Sequence, residues 1–317
     1  MTLEVEHTIH LEYSDYIRES WMELRVEPKA LPTQSVRSFF LAVGPPSKVH
    51  THLDWMGNVV HQFGVPGFHE RIEVLARSVV DTAHSHPPIS EVKGPVPDPA
   101  TLGRDTDFLL LGGPVHDSPL LRALEVRLPG SAGLAERVGA AAAVVEERIA
   151  YVPGVTHYGS TIDDALRHGA GVCQDISHIM IGLLRLAGVP ARYVSGYLYS
   201  PRRAGAPAES HAWVEYRDAA GAWHAYDPTN RQAPDGRYVV VAQGRSYDDV
   251  PPSKGVYRGA ADESLTASVT VAEAPPGGVS DLRAKIGAID VPVYAKVPGR
   301  AAEPANEPGE PGANAQQ

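Results

Sequence analysis

The sequence predicts an α+β protein in two parts: an N-terminal β-sandwich, then a mixed part of helices and strands. Three observations lead there. Apolar residues alternate with period two through much of the first 84 residues. They recur at helical spacing in two stretches between residues 134 and 187. Strand-like runs bounded by turn signals then continue to residue 273. A chain of 317 residues exceeds the size at which single cores usually stop growing, so two domains are expected.

In residues 2–13, Leu3, Val5, His7, Ile9, Leu11 and Tyr13 share one face, and Glu4, Glu6, Thr8, His10 and Glu12 share the other. That is a half-buried strand. The alternation returns in Met22, Leu24 and Val26, in RSFFLAV, and in Ile72, Val74 and Ala76. DWMGNVVHQF reads as a hairpin turning at Gly57-Asn58. Residues 1–84 are therefore assigned to a β-sandwich. Residues 85–106 hold the Pro-rich segment, read as a linker or a wrapping strap because proline cannot donate to a ladder.

Residues 107–297 form the second domain with its C-terminal strands. Leu134, Val138, Ala141, Val145 and Ile149 predict an amphipathic helix. Thr161 with Asp164 resembles a capping box, and Gly169 is a stop for the helix between them. The next helix begins at Cys173, buries Ile176, Met180, Leu183, Leu184 and Ala187, and ends at Gly188 and Pro190. ARYVSGYLYS is a strand, HAWVEYRDAAGAWHAYD a hairpin, and RYVVVAQG and LTASVTVAE are further strands. Residues 298–317 carry no periodic apolar residues and are expected to be a disordered tail.

Composition excludes several classes. The net charge of -10 opposes a nucleic-acid surface, which needs clustered Lys and Arg. The pair Arg202-Arg203 reads as a solvated loop. A single cysteine cannot make an intramolecular disulfide. The N-terminal residues lack a basic region followed by an apolar one, and no run is long enough for a membrane span, so a cytoplasmic location with no membrane partner is expected.

Cys173 follows a Gly-Ala-Gly turn and opens an apolar helix. A free cysteine on its own is usually a small buried hydrophobe. A helix N-terminus and a neighbouring imidazolium, however, both favour the nucleophilic thiolate. The glycines leave room for a substrate carbonyl, and the first-turn N–H groups could stabilise an oxyanion. Such a nucleophile needs a base, and the base needs an orienter. Alternation in the hairpin puts His211, Trp213 and Glu215 on one face with Trp223, Ala225 and Asp227. If Arg217 pairs with Gly221, His211 lies directly opposite Asp227. A shift of two residues makes them diagonal neighbours on the same face, and a shift of one separates them.

These residues resemble the transglutaminase-like cysteine enzymes, in the bacterial branch with an N-terminal β-domain. The matching motifs are GVCQDISHIMIGLLRLAGVPARYVSGYL, SHAWVEY and WHAYDPTN, with GRSYDDVPP and GVYRG further on. The resemblance implies a papain-like core, with the cysteine helix packed on an antiparallel sheet. It implies Cys173 as nucleophile, His211 as base and acid, and Asp227 as the residue orienting His211. The implied reaction is acyl transfer, or amide or peptide hydrolysis, through a thioester. The substrate would be a protein, a peptide or a small amide. No cofactor or metal is required, and no calcium-loop spacing is present. Tyr158 and Gln174 are candidate second oxyanion donors. Trp213 and Trp223 either line an acyl-acceptor channel or pack the hairpin rim.

Rival readings stay open at this level. The three residues could be packing in a non-catalytic binding or scaffold module, or could hold zinc. His178 is a competing base about one helical turn from Cys173. Glu215 and Asp175 read as structural hydrogen-bond partners. The H-x-H pairs His50/His52 and His84/His86 read as polar positions rather than metal ligands.

Overall fold

The computed structural model describes residues 1–130, 133–157, 159–201 and 210–274. The expected tail at 298–317, the preceding residues 275–297, Arg202-Arg203 and Tyr158 lie outside the described residues. The sandwich opens with β1 (Thr2–Ile17), β2 (Glu19–Leu24), β3 (Gln34–Gly44), β4 (His50–Leu53), β5 (Val59–Val65) and β6 (His69–Thr82). The period-two faces are buried as the alternation requires: Leu3, Val5, His7, Ile9, Leu11 and Tyr13 all point inward. Met22, Leu24, Ile72, Val74 and Ala76 join the sandwich interior. The hairpin between β4 and β5 closes on Asp54 and Asn58, with Gly57 at φ 73° in the left-handed region.

The second part contains α1 (Pro119–Glu125), α2 (Leu134–Arg148), β7 (Ala150–Tyr151), α3 (Ile162–His168), β8 (Ala170–Gly171) and α4 (Cys173–Leu186). Then follow β9 (Ala191–Leu198), β10 (His211–Arg217), β11 (Trp223–Tyr226) and β12 (Tyr238–Gly244). The sheet order is β11-β10-β9-β12, and α4 lies against β10 and β9 with α1, α2 and α3 around it. This is the cysteine helix on an antiparallel sheet. α4 is apolar on almost every side because it is surrounded by these elements: Ile176, Ile179, Met180, Ile181, Leu183 and Leu184 are all buried. The short helix α1 is not visible in the apolar spacing. It is set by Ser118, whose Oγ accepts the Leu121 N–H at 3.1 Å, and by Pro119 in the first turn.

The domain boundary differs from the expectation. β13 (Ser253–Arg258) pairs with β2, and β14 (Glu263–Glu273) pairs with β1, so the sandwich sheets read β14-β1-β6-β3 and β13-β2-β5-β4. These two strands belong to the sandwich, not to a 107–297 core. Pairing partners some 250 residues apart leave no local signature. Residues 85–106 pack on the core as a strap. Ser85 bridges Asp235, Gly94 O accepts the Leu134 N–H at 3.0 Å, and Val92 and Leu102 are buried.

The two parts share one interior. Leu3, Val5 and Val80 of the sandwich cluster with Tyr197 of β9, with Tyr199 just beyond that strand and with α4. His7 Nδ1 lies 3.0 Å from the Tyr197 hydroxyl, and burial pushes this imidazole down to about 4, so it is neutral at pH 7. The open edge of β12 is closed by two side-chain amides in place of a strand. Gln34 Nε2 donates to Val240 O at 2.7 Å while its Oε1 accepts the Val240 N–H at 2.8 Å. Asn58 Nδ2 donates to Gln243 O at 2.8 Å while its Oδ1 accepts the Gln243 N–H at 2.9 Å.

Candidate active site

Cys173 is the first residue of α4 and is half-buried. Its N-cap position is Val172, in extended geometry and without a capping oxygen. The helix start is instead held by Asp175, whose Oδ2 accepts the Val172 N–H at 2.8 Å and the Thr156 hydroxyl at 2.7 Å. Gly171 is required here: a Cβ on it would lie 2.7 Å from both Cβ and Oδ2 of Asp175. The glycine thus makes room for the residue that caps α4, a different role from the substrate clearance expected of it. Gly169, at φ 64°, ends α3 as the left-handed stop.

His211 opens β10, and Asp227 follows β11 immediately. The hairpin register pairs Arg217 with Trp223 and Val214 with Tyr226, which is displaced by two from an Arg217–Gly221 pairing. The turn explains the displacement. Asp218 and Ala222 close it, through Asp218 N–H to Ala222 O at 2.9 Å, and Gly221 sits in the left-handed region at φ 93°. His211 and Asp227 are therefore diagonal neighbours on one face. His211 Nε2 lies 2.7 Å from Asp227 Oδ2. Cys173 neighbours the same imidazole and acts on it through hydrogen bonding and charge, both raising its proton affinity. With Nε2 engaged by the carboxylate, Nδ1 is the nitrogen left for the sulfur.

Asp227 is fully buried and saturated with donors. Oδ2 accepts from His211 Nε2, from Asn230 Nδ2 at 2.7 Å and from the Tyr238 hydroxyl at 2.7 Å. Oδ1 accepts the backbone N–H groups of Thr229 at 2.9 Å and Asn230 at 3.1 Å. The loop that supplies them is closed by reciprocal backbone bonds between Asp227 and Gln232. Burial opposes ionisation of Asp227, but the His211 bond and charge, with Asn230 and Tyr238, outweigh it and hold the carboxyl below its ordinary value. For His211, burial opposes the charge as well. The hydrogen bonds and charges of Asp227 and Cys173 overcome it and raise the imidazole to about 10. At pH 7 His211 is an imidazolium beside the Asp227 carboxylate and the Cys173 side chain.

The N-terminal region matches the model of the bacterial transglutaminase-like N-terminal region over residues 3–81, and residues 123–228 match the transglutaminase-like superfamily core. The chain belongs to the transglutaminase-like superfamily. Among its relatives, protein ML0607 of Mycobacterium leprae is 32% identical over 275 residues, covering 84% of this chain and 98% of that one. The transglutaminase-like chain is also 30% identical over 182 residues to the protein-glutamine gamma-glutamyltransferase of Pseudomonas aeruginosa, covering 51% of this chain and 26% of that one. A solved structure from Cytophaga hutchinsonii, described as a candidate cysteine protease, superposes with a TM-score of 0.68 at 18% identity. It covers 87% of this chain and 92% of that one, and so shares the fold. Cys173, His211 and Asp227 all fall within the matched core of the transglutaminase-like family.

The remaining expected residues separate cleanly. His178 is fully enclosed in α4, and its Nε2 accepts the Tyr247 N–H at 3.0 Å. Burial, helped by Arg185, pushes it down to about 3, so it is a fixed neutral acceptor. Glu215 accepts from Arg192 Nε at 2.6 Å and Gln243 Nε2 at 2.9 Å, away from the sulfur. Trp213 is 1% exposed and packs over Gly196 and edge-on to Tyr238, so it supports the strand behind His211 and lines no open channel. Trp223 carries the Arg192 guanidinium 4.0 Å from its ring centroid. Gln174 is partly exposed in the first turn of α4, beside Cys173. No group of three or more His, Cys, Asp or Glu with metal-holding geometry occurs among the described residues. Among the described residues, no helix is long and apolar enough to cross a membrane.

Sequence reasoning missed Asn230, Tyr238, Thr156 and Tyr193. Asn230 was legible in the DPTN turn, since an Asx-closed loop aims its own donors back at the aspartate. Tyr238 comes from another strand and had no local signal. Tyr193 on β9 is enclosed near Cys173. Burial, then the nearby Cys173, Tyr247 and Asp175, pushes its phenol well above the ordinary value, so it stays protonated.

Proposed function

We propose that the chain is a cysteine-dependent enzyme that transfers or hydrolyses an acyl group through a thioester on Cys173. The observation that carries this reading is the single imidazole of His211, held by Asp227 Oδ2 at 2.7 Å and raised by both Asp227 and the neighbouring Cys173. In the first step the Cys173 thiolate attacks a carboxamide or peptide carbonyl. His211 donates its Nδ1 proton to the departing amine, and the C–N bond breaks to leave the thioester. In the second step water or an amine attacks the thioester. His211 takes the incoming nucleophile's proton, and the C–S bond breaks to restore the thiolate. Asp227 keeps the ring oriented and compensates its charge throughout.

The partial exposure of Cys173 supports catalysis over a purely packing role. The gamma-glutamyltransferase named among the relatives supports a glutamine carboxamide of a protein or peptide as acyl donor. The acidic net charge supports a partner other than nucleic acid.

Iodoacetamide labelling at neutral pH tests the reading. Cys173 should alkylate rapidly, and His211→Ala should slow it. Incubation with a glutamine peptide, with and without a labelled primary amine, should give an acyl adduct on Cys173 by intact mass. Its decay then reports whether water or the amine is the acceptor. A Cys173 that stays unreactive in the folded protein would sink the proposal.

A further inference from the structure

Asp227 shares its charge among more donors than an orienting carboxylate needs, and one of them heads a chain of fixed polarity. Arg237 Nη2 donates to Gln232 Oε1 at 3.1 Å. Gln232 Nε2 donates to the Tyr238 hydroxyl at 2.7 Å, and that hydroxyl donates to Asp227 Oδ2 at 2.7 Å. Neither end can be reversed. A guanidinium has no acceptor, and an ionised carboxylate has no donor. The Gln232 amide is therefore fixed in one orientation, and the Tyr238 proton is fixed on Asp227. Bonds in such a series polarise one another, so the hydroxyl is a stronger donor than an isolated phenol. Arg237 is itself anchored by Asp235, which bridges Ser85 on the strap from the sandwich.

The same oxygen, Oδ2, is the one that faces His211 Nε2. Negative charge drawn toward Tyr238 is charge no longer aimed at the imidazolium. Resting on the acyl-transfer reading above, we propose that Tyr238 is a positioning residue for His211. Its hydroxyl, polarised through Gln232 and Arg237, limits how tightly Asp227 holds the imidazolium and so keeps His211 a competent acid toward the departing amine. The charged and titratable groups around this cluster include Cys173 beyond His211, Tyr226 on β11 with Glu146 and Arg231 beside it, and Arg237 with Asp235 leading into β12. Tyr238 meets Trp213 edge-on at 5.3 Å, so its ring has a packing role separable from its hydroxyl.

The separating variant is Tyr238→Phe, which keeps the ring and deletes one donor. His211 ring protons followed by NMR across pH, together with the pH profile of Cys173 alkylation, need no substrate. Tyr238→Phe should move the His211 titration upward by about half a pH unit or more, about a threefold change in its proton affinity. Gln232→Leu should move it in the same direction by less, and it keeps the test available if Tyr238→Phe folds poorly. Profiles superimposable on the unmodified protein, or shifted downward, overturn the proposal and leave Tyr238 as packing. If His211→Ala also leaves alkylation unchanged, the Cys173–His211 reading itself has failed. A wild-type dependence on His211 with no response to the two variants defeats this inference alone.

Discussion

Replacing Gly171 by alanine tests how the start of the cysteine helix is built. The new methyl would sit 2.7 Å from Cβ and Oδ2 of Asp175, where ordinary contacts begin near 3.4 Å. Asp175 would have to swing away, giving up its bonds to Val172 N–H at 2.8 Å and to the Thr156 hydroxyl at 2.7 Å. Loss of the N-terminal cap costs about 0.5–2 kcal/mol. Residual crowding adds about 1–3 kcal/mol. The stiffer unfolded chain returns up to about 1 kcal/mol. The expected net loss for Gly171→Ala is about 2–3 kcal/mol, read as a lowered urea midpoint at constant slope. The decisive comparison is a double-mutant cycle. Asp175→Ala should cost about 2 kcal/mol by itself for its charged hydrogen bonds. In Gly171→Ala/Asp175→Ala the methyl occupies vacated space, so the double variant should be little worse than Asp175→Ala. A coupling of about 1–3 kcal/mol is expected. Strict additivity, or a Gly171→Ala protein as stable as the parent, would refute the argument.

The His211–Asp227 pair predicts a pH-dependent stability. His211 is raised, so its contribution is complete below about 6.5, its unfolded value, and is lost as pH climbs through about 10. Asp227 is lowered, so its contribution is present above its unfolded value of about 3.9 and is lost as pH falls through the depressed one. Urea midpoints should therefore decline from neutral pH toward pH 10, and Asp227→Asn should flatten that decline; equal slopes would contradict it. The same Asp227→Asn variant should lower kcat by about 10³–10⁴-fold with little change in KM, because it misorients His211 rather than removing a substrate contact. Gln34→Leu should cost about 2–4 kcal/mol, since the Val240 N–H and the His84 imidazole, which lies 3.1 Å from Gln34 Oε1, both lose a buried partner. A thermal melt unchanged by Gln34→Leu would show the amide closure of β12 to be incidental.

What could be read from the sequence was local. The strands of the sandwich were legible because Leu3 through Tyr13 alternate strictly and one face is buried. α3 was legible because Thr161 N–H and hydroxyl both reach Asp164 Oδ2 and Gly169 takes the left-handed stop. The shared face of His211 and Asp227 was legible from alternation. The register was not, because it depends on whether the turn holds Gly221 inside the loop or pairs it. The destination of β13 and β14 was not legible either: Val256 and Val271 carry strand propensity, and propensity does not say which edge will receive them. The donors around Asp227 show the same division. Asn230 lies within its own turn, whereas Tyr238 arrives from a strand that only the assembled sheet brings near.

The pairing of β13 with β2 and of β14 with β1 also sets an order of events during synthesis. The first six strands can make only two three-stranded sheets, and the β1 and β2 edges that the last strands will cover stay open while residues 85–252 are still being translated. Closure comes when the two late strands arrive, one to each sheet. Cys173, His211 and Asp227 are thus all made before the sandwich is complete. A chain released early would leave β1, sixteen residues long, as a bare template for a neighbour.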